Sequence, residues 1–145
     1  KVENSVNKII KEEEKFGIKD FKTYEDFGIK VYEIRKNVIK NINKLKKIKK
    51  TIVGYGAPAK ATTALNFFGI TKEIDYIIED NNLKHNKFIP GVKIPIYSKK
   101  KILKNNPTIL VLAWNFYEDI KNNNKDLNLE FINIKDLEKD NFKIN

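Results

Sequence analysis

The chain has no cysteine and no methionine, one histidine, one tryptophan and a single arginine, Arg35, among 29 basic residues. Without thiols, neither a disulfide framework nor a thiolate metal site can form, and a cytoplasmic address is the default expectation. The scarcity of arginine argues against a nucleic-acid interface despite a net charge of +10. Bidentate readers of phosphates and base edges are mostly arginines. The densest basic stretch, Lys44 to Lys50, keeps Leu45 and Ile48 at helical spacing and so reads as a solvated helix end. No apolar run reaches the roughly 18 residues of a membrane span, and no signal-peptide pattern precedes the first helix, so no membrane partner is expected. The chain begins at Lys1 inside a helical pattern and without an initiator methionine, which reads as a fragment of a larger protein.

The lone His85 has no second histidine for a metal site and no Ser, Cys or paired carboxylate at triad spacing. No catalytic constellation is complete, and the expectation is a binding domain with no catalytic residue, no metal and no cofactor of its own.

At about one domain in length, the chain is long enough for a proper core. Residues 1–49 read as a helical lead-in. A first helix runs from Lys1 to Phe16, with Val2, Val6, Ile9 and Ile10 on one face and Gly17 as its stop. Thr23 with Asp26 forms a capping signal for a long helix to Lys49, striped by Phe27, Val31, Ile34, Val38, Ile42, Leu45 and Ile48. That stripe either packs on its own domain or serves an upstream domain or a second copy, as in a homodimer.

From residue 50 onward, strands alternate with helices: Thr51 to Tyr55, helix Pro58 to Phe68 closed by Gly69, strand Ile74 to Ile78, and a possible short strand around Val92 to Ile96. A helix from Ser98 to about Lys104 follows, then strand Thr108 to Leu112, a helix from Trp114 to Lys121 and strand Leu129 to Ile134, before a polar tail. The unbroken apolar run Ile109 to Ala113 marks a strand buried on both faces. Fold class is therefore α/β, a Rossmann-like, mostly parallel open sheet with helices on both faces over residues 50–145.

In such sheets ligands bind beyond the carboxyl ends of the strands, where chain order reverses. Three polar stretches fall there: Gly54 to Lys60, Asp80 to Gly91, and Trp114-Asn115. The first, Gly54-Tyr55-Gly56-Ala57-Pro58-Ala59-Lys60, has the shape of an anion cradle: glycines for close approach, then a helix N-terminus. Ala59 stands where a dinucleotide fold keeps its third glycine. Asp80 follows Gly56 by about the 20 residues that separate a glycine turn from a ribose-binding carboxylate, and the same Asp80 suits an ordinary turn. Lys60 is placed to meet a phosphate or merely solvent, and Tyr55 and Trp114 to stack on a base or fill gaps beside the sheet.

Taken together and in order, Gly54 to Lys60, Asn66-Phe67-Phe68-Gly69-Ile70, Glu79 to Lys84, Pro90 to Ile96 and Ala113-Trp114-Asn115-Phe116 resemble one family. It is the C-terminal domain of S-adenosylmethionine-dependent C-methyltransferases, which include enzymes acting on nucleotide-linked deoxysugars. The resemblance covers nearly the whole chain; Asn82 stands in place of an expected proline, His85 in place of a different polar residue, and the tail after Asn124 lacks the family's glycine-rich turn. It implies a substrate-binding domain facing an upstream methyltransferase domain that holds S-adenosylmethionine and the catalytic base. By position it implies Gly54, Tyr55, Gly56, Ala57, Lys60, Asp80, Lys84, Trp114 and Asn115 as the face toward the nucleotide-linked sugar. The rival expectations are an NAD(P)-binding oxidoreductase domain, disfavoured by Ala59 and by the lack of a Tyr-x-x-x-Lys pair, and a structural or dimerisation module built on the long helix.

Overall fold

The computed structural model describes residues 3–49, 51–102 and 106–144. The expected helix start at Lys1 and Val2, the boundary residue Lys50 and the expected helix end at Lys104 lie outside them. The chain divides into two compact units, Lys1–Ile34 and Arg35–Asn145.

The first unit contains α1 (Asn4–Phe16) and the beginning of α2 (Phe21–Ile48). Gly17 ends α1 in the left-handed region, at φ 78°, and the amides of Gly17 and Ile18 close on Glu14 and Glu13. The expected cap at Thr23 is corrected: α2 starts at Phe21, three residues before the expected Tyr24, and the Thr23 amide donates to the Asp20 carbonyl. None of the described residues of this unit is buried. The apolar stripe expected along the whole of α2 is thus realised only in its second half. Phe27 is 67 % exposed, whereas Val38 and Leu45 are fully buried. Helical spacing makes a stripe, but burial also needs a surface opposite it.

In the second unit, β1 (Ile52–Tyr55), β2 (Tyr76–Ile78), β3 (Ile96–Tyr97), β4 (Thr108–Val111) and β5 (Phe131–Asn133) form one sheet in the order β3-β2-β1-β4-β5. Every strand pair is parallel. The chain moves outward from β1 to β3, then returns to the other side of β1, so right-handed crossovers place the connections on opposite faces. Two helices serve these crossovers, α3 (Ala59–Phe68) after β1 and α4 (Tyr117–Asn122) after β4. One sheet face carries Val53, Tyr55, Tyr76, Ile78, Ile109 and Val111, covered in part by Tyr117 and Ile120 of α4. Alternation sends Gly54 to the other face, in lateral register with Ile77 and Leu110.

Several expected elements are shorter than their apolar patterns. The second strand begins at Tyr76 rather than Ile74, although Ile74 is buried. The stretch after Ser98 is a 3₁₀ turn, Lys99–Lys101, and Trp114–Phe116 is another, preceding α4. The polar tail is more ordered than its composition suggests. Ile134–Glu138 form a 3₁₀ turn with Leu137 fully buried, and buried Asn41 of α2 donates to the carbonyls of Leu137 and Lys139 at 2.9 and 2.8 Å. The basic end of α2 is also tied down, Lys46 to Asp75 at 2.7 Å and Lys49 to Glu130 at 3.1 Å.

Candidate functional site

Order reverses between β1 and β4, and a cleft of about 280 Å³ opens at their carboxyl ends. Two of the three polar stretches reach it, with Tyr55, Gly56 and Pro58 from the first and Asp80 and Lys84 from the second; Glu79 joins from just before the second, and Ala113 and Phe116, on either side of Trp114-Asn115, line it in place of that pair. The turn is possible because Gly56 adopts φ +87°, and a Cβ there would lie 2.9 Å from the Ala113 Cβ. Pro58, extended at φ −72°, then starts α3. Its carbonyl accepts from both Ala61 and Thr62. The helix ends at Gly69, φ +72°, as the sequence predicts.

On the cleft wall the Tyr55 hydroxyl donates to the Asp80 carboxylate, at 2.9 and 3.1 Å from its two oxygens. Burial pushes the Tyr55 hydroxyl up to about 12; the Asn124 side chain opposes this, and the Asp80 and Glu79 charges add to it. At neutral pH Tyr55 is therefore a fixed donor that orients Asp80, leaving carboxylate lone pairs to accept from a ligand. Asn124 is 1 % exposed and donates to the Ile120 carbonyl at 2.6 Å, in the helix that closes this end of the cleft.

Beside this pair, the Glu79 carboxylate accepts from the Ala57 amide at 2.8 Å and the Asn81 amide at 3.1 Å. Lys84 donates to Glu79 at 3.2 Å and to the Ala57 carbonyl at 3.0 Å. Burial pushes the Glu79 carboxyl up, but the Ala57 and Asn81 amides and Lys84 outweigh it and leave it below its ordinary value. His85, the one obvious proton carrier in the sequence, instead pins the loop, its Nε2 lying 2.7 Å from the Glu79 carbonyl.

The sequence-predicted residues separate into groups. Tyr55, Gly56, Asp80 and Lys84 line the cleft. Ala57 is buried, with its amide taken by Glu79. Lys60 and Trp114 meet each other, the ammonium 4.4 Å from the indole ring centre. Asn115 is exposed in the adjoining turn. Gly54 does not reach the cleft: it lies mid-strand, where a Cβ would stand 2.8 Å from Ile77 Cγ1 and 3.0 Å from Leu112 Cδ1. Sequence reasoning missed Glu79, Phe116 and Ile120. A tandem Glu79-Asp80 at a strand end signals two carboxylates pointing to different sides, and Phe116 and Ile120 stand four apart on one helical face.

Among the described residues no group of acidic, histidine or cysteine side chains could hold a metal ion, and no helix is long and apolar enough to cross a membrane. A second cleft, about 460 Å³, lies beside β5, lined by Tyr117, Lys121, Asp136 and Lys139 among others; apart from bordering α4 it shares nothing with the predicted site.

The strand order defines an α/β Rossmann-like domain with a cleft at the carboxyl end of its sheet. Comparison with known proteins narrows this: the chain belongs to the family described as the C-methyltransferase C-terminal domain, whose profile matches residues 1–132. It is 31 % identical over 127 residues to the C-methyltransferase NovU of Streptomyces niveus, a match covering 86 % of this chain and 30 % of NovU.

Proposed function

We propose that this chain is the substrate-binding domain of an S-adenosylmethionine-dependent C-methyltransferase, and that its switch-point cleft receives a nucleotide-linked sugar. The observation that carries the reading is the Tyr55–Asp80 pair on the cleft wall, an oriented carboxylate that matches the hydroxyls of a sugar or ribose. Lys60, held over Trp114, stands beside the cleft as a cation for the ligand's phosphates, and Trp114 and exposed Phe116 give the rim a stacking surface. Gly56 lets the ligand approach the main chain. Methyl donor and catalytic base belong, in this reading, to an upstream domain of the same protein, and the chain alone is not catalytic. Its unburied first unit is the natural surface for that domain or for a second copy of the chain. The protein works in the cytoplasm, with no nucleic-acid or membrane partner.

Calorimetric titration of the chain with UDP-glucose and dTDP-glucose, beside Asp80→Ala and Lys60→Ala, tests this. Saturable binding weakened by Asp80→Ala is expected. Unchanged affinity in both variants would remove the site assignment.

A further inference from the structure

A helix N-terminus after the first strand of an open α/β sheet is where phosphate groups ordinarily bind, because free amides and the helix dipole converge there. Here the turn that leads into that position already holds an anion, at the Ala57 amide two residues before α3. Glu79 reaches across from the end of β2 and accepts from the Ala57 amide, with its second oxygen on the Asn81 amide. Its side chain is only 13 % exposed, and Lys84 holds it from the other side while bonding the Ala57 carbonyl. The carboxylate thus has two main-chain donors and an ammonium, and a ligand phosphate would have to displace all three contacts. The charged residues that line the cleft are Glu79, Asp80 and Lys84, so its balance is negative. A diphosphate entering it would face two carboxylates and one lining cation that is already engaged, whereas Lys60, over Trp114, stands outside the lining and can meet phosphates that stay outside.

We infer that Glu79 is a specificity-determining residue that keeps phosphate off the β1 turn, so that the cleft takes the hydroxyl-bearing ring of a ligand and leaves its phosphates outside. This rests on reading the cleft as a sugar-nucleotide site, but the role of Glu79 is separable from it. The carboxylate acts as an internal substitute for the phosphate that a dinucleotide would place there. Asp80, one residue further on, remains available to hydroxyl groups, its orientation set by Tyr55.

The test is an ¹⁵N NMR titration of the chain with inorganic pyrophosphate and, separately, with UDP-glucose. Pyrophosphate is expected to leave the Ala57, Ala59 and Lys60 amides of the wild-type chain unmoved. In Glu79→Ala, which frees the Ala57 amide and leaves Lys84 only its bond to the Ala57 carbonyl, the same amides should shift saturably, with affinity raised at least about tenfold. Glu79→Ser repeats the test if Glu79→Ala loses its dispersed spectrum. UDP-glucose should shift Asp80, Ala113 and Phe116 in the wild type and spare the Ala57 amide. Saturable pyrophosphate binding at those amides in the wild type, or none in either Glu79 variant, would overturn the inference, as would UDP-glucose shifts centred on the Ala57 amide. Failure of UDP-glucose to bind at all would instead remove the proposed function, and the pyrophosphate results would still decide the role of Glu79.

Discussion

Replacing Gly56 by alanine probes the turn on which the site depends. Two separable terms oppose the change. An L-residue at φ +87° incurs the left-handed penalty, about 1–2 kcal/mol. The new Cβ would also lie 2.9 Å from the Ala113 Cβ, and neither atom is at the end of a flexible side chain, so main chain must move, at about 1–3 kcal/mol. The sum, about 2–5 kcal/mol, is a large part of a small domain's stability. A second substitution, Ala113→Gly, apportions it: added to Gly56→Ala it relieves the contact and leaves the backbone penalty. Urea unfolding, followed by the fluorescence of Trp114, the sole tryptophan, and by far-ultraviolet circular dichroism, reads both. Loss of less than about 0.5 kcal/mol in Gly56→Ala, within the range of an ordinary surface substitution, would refute the strained turn. Complete recovery in the double variant would refute the backbone term.

Folded Tyr55 holds its proton more tightly than the unfolded chain, so its contribution is complete below pH 10 and disappears as pH rises toward about 12. Urea midpoints should fall over that window more steeply in the wild type than in Tyr55→Phe; parallel curves would contradict the assignment. Leu45→Ala, at a fully buried position of α2, should cost about 2–5 kcal/mol by chemical unfolding, against less than about 0.5 kcal/mol for Phe27→Ser. Equal effects would mean that the stripe is buried along its whole length. Lys60→Gln should shift Trp114 emission while changing stability by no more than about 1 kcal/mol; unaltered emission would remove that contact.

Periodicity made the parallel sheet legible. The unbroken apolar run from Ile109 does become a strand with both faces covered, ending at Val111 with Leu112 buried just beyond it, and the Gly-to-Pro punctuation places the first turn correctly. The convergence of the Gly54 to Lys60 and Asp80 to Gly91 stretches also followed from the sequence, because alternating strands and helices put strand ends on one edge of the sheet; at the third, Ala113 and Phe116 line the cleft in place of Trp114-Asn115. The partners of individual side chains were less accessible. Gly54 and Gly56 look alike in sequence, yet Gly54 lies mid-strand against Ile77 and Leu112, while Gly56 lies past the end of β1 at φ +87° and lines the cleft. The Ala57 amide reads as free until Glu79, 22 residues on, is brought against it by parallel pairing of β1 and β2. The ordered tail depends on Asn41 reaching the Leu137 carbonyl, a contact 96 residues apart that no local pattern announces.

The central claim, that the switch-point cleft is where this domain binds a nucleotide-linked sugar, is tested most directly by mapping amide shifts on titration of the chain with UDP-glucose and dTDP-glucose. The account predicts saturable shifts at Gly56, Asp80, Ala113 and Phe116, abolished in Asp80→Ala. Shifts confined to Lys121, Asp136 and Lys139 beside β5, or none with either sugar, would contradict it.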